Sequence, residues 1–198
     1  SIELQMEQMG QRAKKAARVL SAAAPAAKTQ ALRALAALLI ERQPDILKAN
    51  ALDVDAAKAA NMDAPRLDRL TLTPRIMADM ADACLHVADM ADEVGVIEQQ
   101  WQRPNGLMIG KMRIPLGVIA MIFESRPNVT IDAAILCLKA GDAVILRGGS
   151  EAIHSNLALA GLLHEALRSA GLPEDAAQVV ETTDRAAVAA ICKLDKYV

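Results

Sequence analysis

Two short apolar runs separated by a helical pattern constrain the fold more than any other part of the chain. The runs are Gly117–Phe123 and Ala143–Leu146, and runs of this length are typical of strands buried on both faces. Between them, apolar residues at helical spacing across Val129–Lys139 predict a helix, and Gly141 stands where a left-handed glycine often ends one. Strand, helix and strand over about thirty residues predict a right-handed βαβ unit with two parallel strands.

Charged and small residues follow both predicted strands at the point where each one ends. Glu124–Arg126 comes after the first strand and Arg147–Ser150 after the second. Because two parallel strands joined by a crossover helix end at the same edge of a sheet, we expect both segments to face one crevice. Open α/β sheets bind their ligands at that carboxyl edge, so the sequence predicts a binding site there.

The segment Arg147–Ser150 is the first candidate for ligand binding. Gly148 and Gly149 let a ligand approach the backbone closely, and Ser150 is placed to cap the next helix, whose N-terminus attracts anions. Arg147 adds a permanent positive charge and a planar set of donors suited to phosphate. The pattern indicates a phosphate- or nucleotide-binding edge, or else a plain strand-to-helix turn with an arginine on the surface. Neither G-x-G-x-x-G nor G-x-x-x-x-G-K-[ST] occurs, so a dinucleotide would bind without those fingerprints.

Other reactive side chains give weaker signals. Arg126 is placed either to pair with Glu124 or to bind an anionic substrate. His154 lies one turn beyond Ser150, so it either reaches the crevice or stays exposed on its helix. The three cysteines fall within helical patterns, whereas a reactive thiolate usually lies at a helix N-terminus or beside a cation. No metal site is predicted, since the histidines and cysteines lack the spacing of metal ligands.

Composition excludes two classes of partner. The 198 residues are 53% hydrophobic but only 2% aromatic, and 22 basic residues against 24 acidic ones give a net charge of −2. Nucleic-acid binding needs a basic surface or an aromatic stacking platform, so no nucleic-acid partner is expected. No apolar run reaches the roughly 18 residues of a membrane helix, so no membrane partner is expected. Three scattered cysteines and the lack of a signal-peptide pattern favour a reducing, cytoplasmic setting.

The rest of the chain surrounds the βαβ unit with helices and one hairpin. Residues 1–95 predict a layer of Ala-rich helices broken at prolines, and residues 96–115 predict a hairpin arm. Residues 116–198 continue the sheet, with a further helix at Glu151–Ser169 and a strand at Ala177–Glu181. We therefore expect an α/β fold with a parallel Rossmann-like sheet, an N-terminal helical layer and a protruding β-hairpin.

The hairpin arm is predicted to need a partner. Ile97–Arg103 and Leu107–Ile114 have strand character, and Pro104–Gly106 is a turn between them. A hairpin that leaves the main sheet has exposed edges, so we expect it to pair with a second subunit, and folding back on the same chain is the alternative. Trp101, the single tryptophan, is either an anchor in such a contact or an ordinary surface residue.

Several segments carry a resemblance to a known family. Pro115–Thr130 reads P-L-G-V-I-A-M-I-F-E-S-R-P-N-V-T, and Leu136–Gly149 reads L-C-L-K-A-G-D-A-V-I-L-R-G-G. Supporting stretches lie at Ile46–Asp53, Leu67–Thr73 and Lys193–Val198. Along nearly its whole length the chain is similar to the γ-glutamyl phosphate reductases, also called glutamate-5-semialdehyde dehydrogenases, which are a branch of the aldehyde dehydrogenase superfamily.

This resemblance implies a function. Members of the family reduce L-glutamate 5-phosphate to L-glutamate 5-semialdehyde and phosphate with NADPH, in proline biosynthesis. A cysteine thiolate attacks the acyl phosphate, phosphate leaves, and hydride transfer to the thioester releases the aldehyde. That cysteine belongs to a second, catalytic domain, so we expect it beyond Val198 and expect no catalytic residue in residues 1–198. Leu194–Val198 reads as the approach to another strand, which agrees with a longer protein. Glutamate 5-kinase is an expected partner.

The resemblance also implies roles at the crevice. In related aldehyde dehydrogenases, Arg147 is matched by a lysine that holds the adenine ribose, and an arginine there suits the 2′-phosphate of NADP. In those relatives an asparagine stabilises the oxyanion, and Arg126 stands at or beside the matching position of this chain. Arg126 and Asn128 are therefore expected to contact the substrate. The residues expected to bind the cofactor are Phe123, Glu124, Ser125, Arg147, Gly148, Gly149 and Ser150. The hairpin Ile97–Ile114 resembles the oligomerisation arm of the superfamily, so a homo-oligomer is expected.

Two other functions are compatible with the residues alone. The first is a non-catalytic α/β interaction module that binds a nucleotide or phosphate and assembles through the hairpin. The second is a phosphate-binding sensor without redox chemistry. Molecular mass before and after deletion of the hairpin tests the first, and binding of free phosphate but not of dinucleotide would favour the second.

Overall fold

The structure is a computed structural model that describes residues 1–198, and its eight helices and five strands follow the order that the sequence predicts. The helices are α1 (Ile2–Ser21), α2 (Pro25–Glu41), α3 (Gln43–Ala59), α4 (Ala64–Leu70), α5 (Pro74–Asp89), α6 (Val129–Ala140), α7 (Ile153–Ser169) and α8 (Ala186–Ile191). The strands are β1 (Ile97–Gln102), β2 (Met108–Met112), β3 (Val118–Ile122), β4 (Ala143–Arg147) and β5 (Ala177–Val179). None of the helices is long and apolar enough to cross a membrane.

Local residue chemistry sets the ends of the helices. Proline stands in the first turn of α2, α3 and α5, where its missing N–H costs no hydrogen bond. Thr73 caps α5, since its side chain accepts a hydrogen bond from the Ile76 N–H. Gly141 ends α6 with φ of 81°, a left-handed conformation that glycine adopts without steric cost.

The predicted parallel sheet is confirmed. Its strands lie in the order β3-β4-β5, with Val118 opposite Ala143 and Val144 opposite Ala177. Because both crossovers advance in the same direction along the sheet, α6 and α7 lie on the same face. α1 packs against β4 and α8, whereas α2 and α3 pack against α7, and α5 against α6. The predicted N-terminal helical layer is therefore divided, since α1 lies beside α8 and the other long helices cover α6 and α7.

The prediction that β3 is buried on both faces is wrong. Met121 is 39% exposed and Ile122 45% exposed, whereas all five residues of β4 are buried. The reason is the position of β3 at the edge of the three-stranded sheet, where only β4 pairs with it. An apolar run of this kind occurs in both central and edge strands, so it does not show which position a strand takes in the sheet.

The predicted hairpin is confirmed as a separate two-stranded sheet. β1 and β2 pair antiparallel, with Trp101 opposite Ile109, and Gly106 takes a positive φ in the turn. Every residue of β1 is exposed. Within this chain Trp101 is 38% exposed, so it is not a core residue.

A buried lysine fixes the segment that leads into the hairpin. Lys28 of α2 is 1% exposed, and its Nζ lies 2.6 Å from Asp92 Oδ2 and donates to the carbonyl of Lys139. Asp92 also accepts a hydrogen bond from the Val94 N–H. Burial alone would raise the pKa of Asp92, but the hydrogen bonds from Lys28 and Val94 and the positive charges of Lys28 and Lys139 together outweigh it, so the pKa lies below its ordinary value of 3.8.

Replacing this lysine is expected to destabilise the fold. In Lys28→Ala the Asp92 carboxylate loses its buried partner, so the free energy of unfolding should fall by about 3 kcal/mol at neutral pH. Because the folded-state pKa of Asp92 is lowered, the contribution is present above its ordinary pKa of 3.8 and is lost as the pH falls below it. Urea denaturation between neutral and acid pH measures this difference. The exposed Lys48→Ala is the control, and equal stability of the two variants would contradict the assignment.

Candidate functional site

A cleft of about 670 Å³ opens at the carboxyl ends of β3 and β4. Its volume lies in the range of small-molecule sites, roughly 300–1,000 Å³. Of the nine residues predicted to bind cofactor or substrate, the cleft is lined by six, namely Phe123, Glu124, Ser125, Arg147, Gly149 and Ser150. A cavity of about 720 Å³ lies between α1, the base of the hairpin and the last residues of the chain, but none of the predicted residues lines it.

Gly148 does not line the cleft, because its backbone packs against another side chain. A Cβ added at Gly148 would lie 2.1 Å from Asn156 Nδ2 and 3.2 Å from Phe123 Cε2. The amide of Asn156 accepts a hydrogen bond from the buried Thr130 hydroxyl. Gly148 thus has a structural role, since it makes room for the side chain of Asn156, and its contact with the cofactor stays a prediction.

Arg126 and Asn128 also lie outside the cleft lining. Arg126 is exposed and forms no ion pair with Glu124, so that alternative is wrong. The amide of Asn128 donates a hydrogen bond to Asp132 within the first turn of α6. Both residues follow Ser125, so their orientation depends on the turn that this serine forms. Their contact with substrate stays a prediction.

Arg147 is buried, so the alternative of a plain turn with an arginine on the surface is wrong. It is 8% exposed, and its guanidinium donates to the carbonyls of Gly148 at 2.6 Å and Thr183 at 3.1 Å. It thereby joins the loops that follow β4 and β5. Its Nε is buried and has no hydrogen-bond partner. An unpartnered buried donor is costly, so the arginine fits a ligand that supplies an acceptor.

The expectation that Ser150 caps α7 and leaves an anion site at its N-terminus is wrong. Ser150 lies in a short 3-10 turn, and the start of α7 is capped by Asp53 of α3. Asp53 accepts hydrogen bonds from the His154 N–H at 3.2 Å and the Ser155 N–H at 2.8 Å, and from the Ser155 hydroxyl at 2.5 Å. Because a carboxylate of the protein itself occupies the helix N-terminus, a phosphate cannot bind there.

His154 belongs to this cap and does not line the cleft. Its Nδ1 lies 2.7 Å from Asp53 Oδ1. Asn50, also on α3, donates to the Ser155 hydroxyl at 3.0 Å and accepts a hydrogen bond from the Leu72 N–H. This buried polar network fastens α3 to the start of α7. Asn50 and Asp53 lie in the segment Ile46–Asp53, which carries the family resemblance, but no local pattern predicts their partners in α7.

A second carboxylate joins the two loops of the cleft. Glu151 Oε1 accepts hydrogen bonds from the Ser125 N–H at 2.8 Å and from its hydroxyl at 2.6 Å. Burial would raise the pKa of Glu151, but the hydrogen bonds from Ser125 and the charge of Arg147 outweigh it, so the pKa lies below its ordinary value. Sequence reasoning missed Glu151, and it also missed two cations of the cleft, Arg66 and Arg185.

The cysteines do not lie where a nucleophile is needed. Burial raises the pKa of Cys84 to about 12 and that of Cys137 to about 11, so both are neutral thiols at physiological pH. Neither these two nor Cys192 lines the cleft. No group of three or more His, Cys, Asp or Glu side chains is arranged to hold a metal ion.

Comparisons with known proteins identify the class. The sequence matches the aldehyde dehydrogenase family over residues 3–197, so the chain belongs to that family, and a nicotinamide cofactor is implied. It is 68% identical to the gamma-glutamyl phosphate reductase of Nitratidesulfovibrio vulgaris, across 100% of this chain and 47% of the relative. The chain thus spans about half the length of the curated relatives it matches.

Solved structures agree with this assignment. The gamma-glutamyl phosphate reductase of Thermotoga maritima superposes with a TM-score of 0.95 at 37% identity, covering 98% of this chain and 47% of that one. The enzyme of the same name from Saccharomyces cerevisiae gives a TM-score of 0.88 at 26% identity, covering 96% and 49%. The predicted fold class and the resemblance to γ-glutamyl phosphate reductases are confirmed.

The cap at α7 gives a testable consequence. Asp53→Ala removes the acceptor of two backbone N–H groups and one hydroxyl, so the free energy of unfolding should fall by about 2 kcal/mol. The amides of His154 and Ser155 should exchange with solvent faster, since they lose their acceptor. Denaturation and amide hydrogen exchange measure the two effects. Asp55→Ala, an exposed change on the same helix, is the control, and indistinguishable variants would contradict the role of Asp53.

Proposed function

We propose that residues 1–198 are the N-terminal cofactor-binding domain of a γ-glutamyl phosphate reductase. The complete protein would reduce L-glutamate 5-phosphate to L-glutamate 5-semialdehyde and phosphate with NADPH, in proline biosynthesis. The observation that carries the proposal is the cleft at the ends of β3 and β4, because residues chosen from the family resemblance line it together. The 68% identity to a reductase of that name supports the choice of substrate.

The charges of the cleft support NADP as the cofactor. Three arginines line it, Arg66, Arg147 and Arg185, against two glutamates. Arg66 is paired with Asp63 at 2.6 Å, whereas Arg185 forms no ion pair and Arg147 keeps an unpartnered Nε. Arginine suits the 2′-phosphate that distinguishes NADP from NAD. When bound, the cofactor supplies the hydride, and the residues of this chain bind and orient it.

The substrate side is assigned to the turn after Ser125. We propose that Arg126, which is exposed and positively charged, binds the carboxylate or phosphate of the substrate, with Asn128 as a second donor. We propose that the nucleophilic cysteine lies in a second, catalytic domain, which would account for the greater length of the relatives. The raised pKa values of Cys84 and Cys137 support this, since a neutral buried thiol is a poor nucleophile.

Assembly through the hairpin is the remaining part of the proposal. Ile97, Met108 and Met112 are between 51% and 56% exposed on the two strands, an apolar surface suited to a second copy of the chain. An interaction module that assembles through this arm is the alternative function, and the same surface supports it. Contact with glutamate 5-kinase and a cytoplasmic location stay predictions.

Cofactor choice is tested by titration. The chain should bind NADPH more tightly than NADH, and Arg147→Ala should lower the ratio of the two affinities by about tenfold, as expected for the loss of one charged contact. The ratio is used because a general loosening of the cleft would weaken both ligands alike. The exposed Arg75→Ala is the control. An unchanged ratio in Arg147→Ala would contradict the assignment of Arg147, and binding of free phosphate without dinucleotide would favour the sensor.

Deletion of the hairpin tests assembly. The intact chain should have the mass of an oligomer in solution, and the chain lacking Ile97–Ile114 should be a monomer, because its apolar arm is gone. Light scattering at matched concentrations measures both masses. A monomer in both cases would remove the assembly proposal and with it the alternative interaction module.

A further inference from the structure

We propose that Glu151 is a positioning residue that fixes the turn after β3 by holding both hydrogen-bond donors of Ser125. The meaning of this contact for cofactor binding rests on the proposed function. The contact itself rests on three independent observations: the backbone conformation of Ser125, its two hydrogen bonds, and the space that Gly149 leaves open.

The backbone of Ser125 is in a conformation that it does not favour. Its φ is 41°, in the left-handed region, where a serine is sterically strained and glycine is usual. The next two residues are Arg126 and Pro127, and proline restricts the residue before it to extended conformations. Nothing in the local sequence supplies the stabilisation that such a turn needs, so it must come from a contact elsewhere in the fold.

Glu151 supplies that contact. One carboxylate oxygen, Oε1, accepts from both the N–H and the hydroxyl of Ser125, at 2.8 and 2.6 Å. Hydrogen bonds to a charged acceptor are stronger than neutral ones, and Ser125 is only 7% exposed, so water competes little. Since Glu151 follows β4 and Ser125 follows β3, the contact ties together the loops at the two strand ends.

Gly149 makes the contact sterically possible. A Cβ added at Gly149 would lie 2.1 Å from Glu151 Oε1 and 2.5 Å from Oε2. Any side chain at this position would push the carboxylate away from Ser125. Both glycines after β4 therefore serve contacts within the protein, Gly148 with Asn156 and Gly149 with Glu151.

The contact determines how the neighbouring residues are presented. Phe123 and Glu124 precede Ser125 in the cleft, and Arg126 follows it on the side assigned to the substrate. A turn that loses its acceptor would relax toward an extended backbone and displace these side chains.

Because the pKa of Glu151 is lowered, the carboxylate is ionised at neutral pH, and the contact weakens only as the pH falls below the ordinary value of 4.5.

The first test needs no ligand. In the ¹H–¹⁵N correlation spectrum of the chain, the Ser125 amide proton should lie downfield. Its chemical shift should change as Glu151 titrates, at a pH below 4.5. In Glu151→Gln this titration should disappear, and in Gly149→Ala the downfield shift should be lost. Glu181→Gln, an exposed change after β5, should leave both features intact. A Ser125 amide that is unaffected in Glu151→Gln would overturn the proposal, whether or not the chain binds a nucleotide.

The second test separates positioning from direct contact with the cofactor. NADPH affinity is measured for Ser125→Ala, Glu151→Ala and the double variant. If Glu151 acts through Ser125, each single change should weaken binding by about tenfold and the double change by no more than that. Ser125→Gly, which fits the left-handed turn without strain, should bind more tightly than Ser125→Ala. Additive losses would overturn the positioning role, whereas absence of NADPH binding in the unaltered chain would count against the proposed function and leave the first test to decide.

Discussion

One backbone hydrogen bond places the two loops of the cleft side by side. The N–H of Phe123 donates to the carbonyl of Arg147 at 3.0 Å, and it extends the parallel pairing of β3 and β4 to the points where both strands end. Because the strands are parallel, the polar residues after each one meet at the same edge. Arg147 then reaches across to Thr183 after β5, so three successive strand ends contribute to one cleft.

The protein holds this edge with its own charged groups. Asp53 caps the start of α7, and Glu151 accepts both hydrogen bonds of Ser125, so the protein's own carboxylates already occupy these N–H groups. What remains for a ligand is positive: the unpartnered Nε of Arg147 and the exposed guanidinium of Arg185. An anionic ligand in the cleft is therefore expected to contact the arginines, because the N-terminus of α7 is already capped by Asp53.

The elements that the sequence predicts correctly are those with local causes. The βαβ unit follows from two apolar runs and Gly141, and the hairpin follows from its turn residues. The errors concern contacts between distant segments. No local pattern shows that β3 is an edge strand, that Asp53 replaces Ser150 as the cap of α7, or that Gly148 makes room for Asn156. Such pairings form only when distant segments meet in the folded chain, so the local spacing of residue types does not predict them.

Mapping the bound cofactor on the isotope-labelled chain tests the central claim most directly. Addition of NADP⁺ should shift the backbone amide signals of Phe123–Ser125 and Arg147–Glu151, which lie on the two loops of the cleft. Amides of the cavity between α1 and the hairpin base, such as those of Leu116 and Tyr197, should stay unchanged. Shifts confined to that second cavity, with the cleft unaffected, would contradict the assignment of the strand ends of β3 and β4 as the cofactor site.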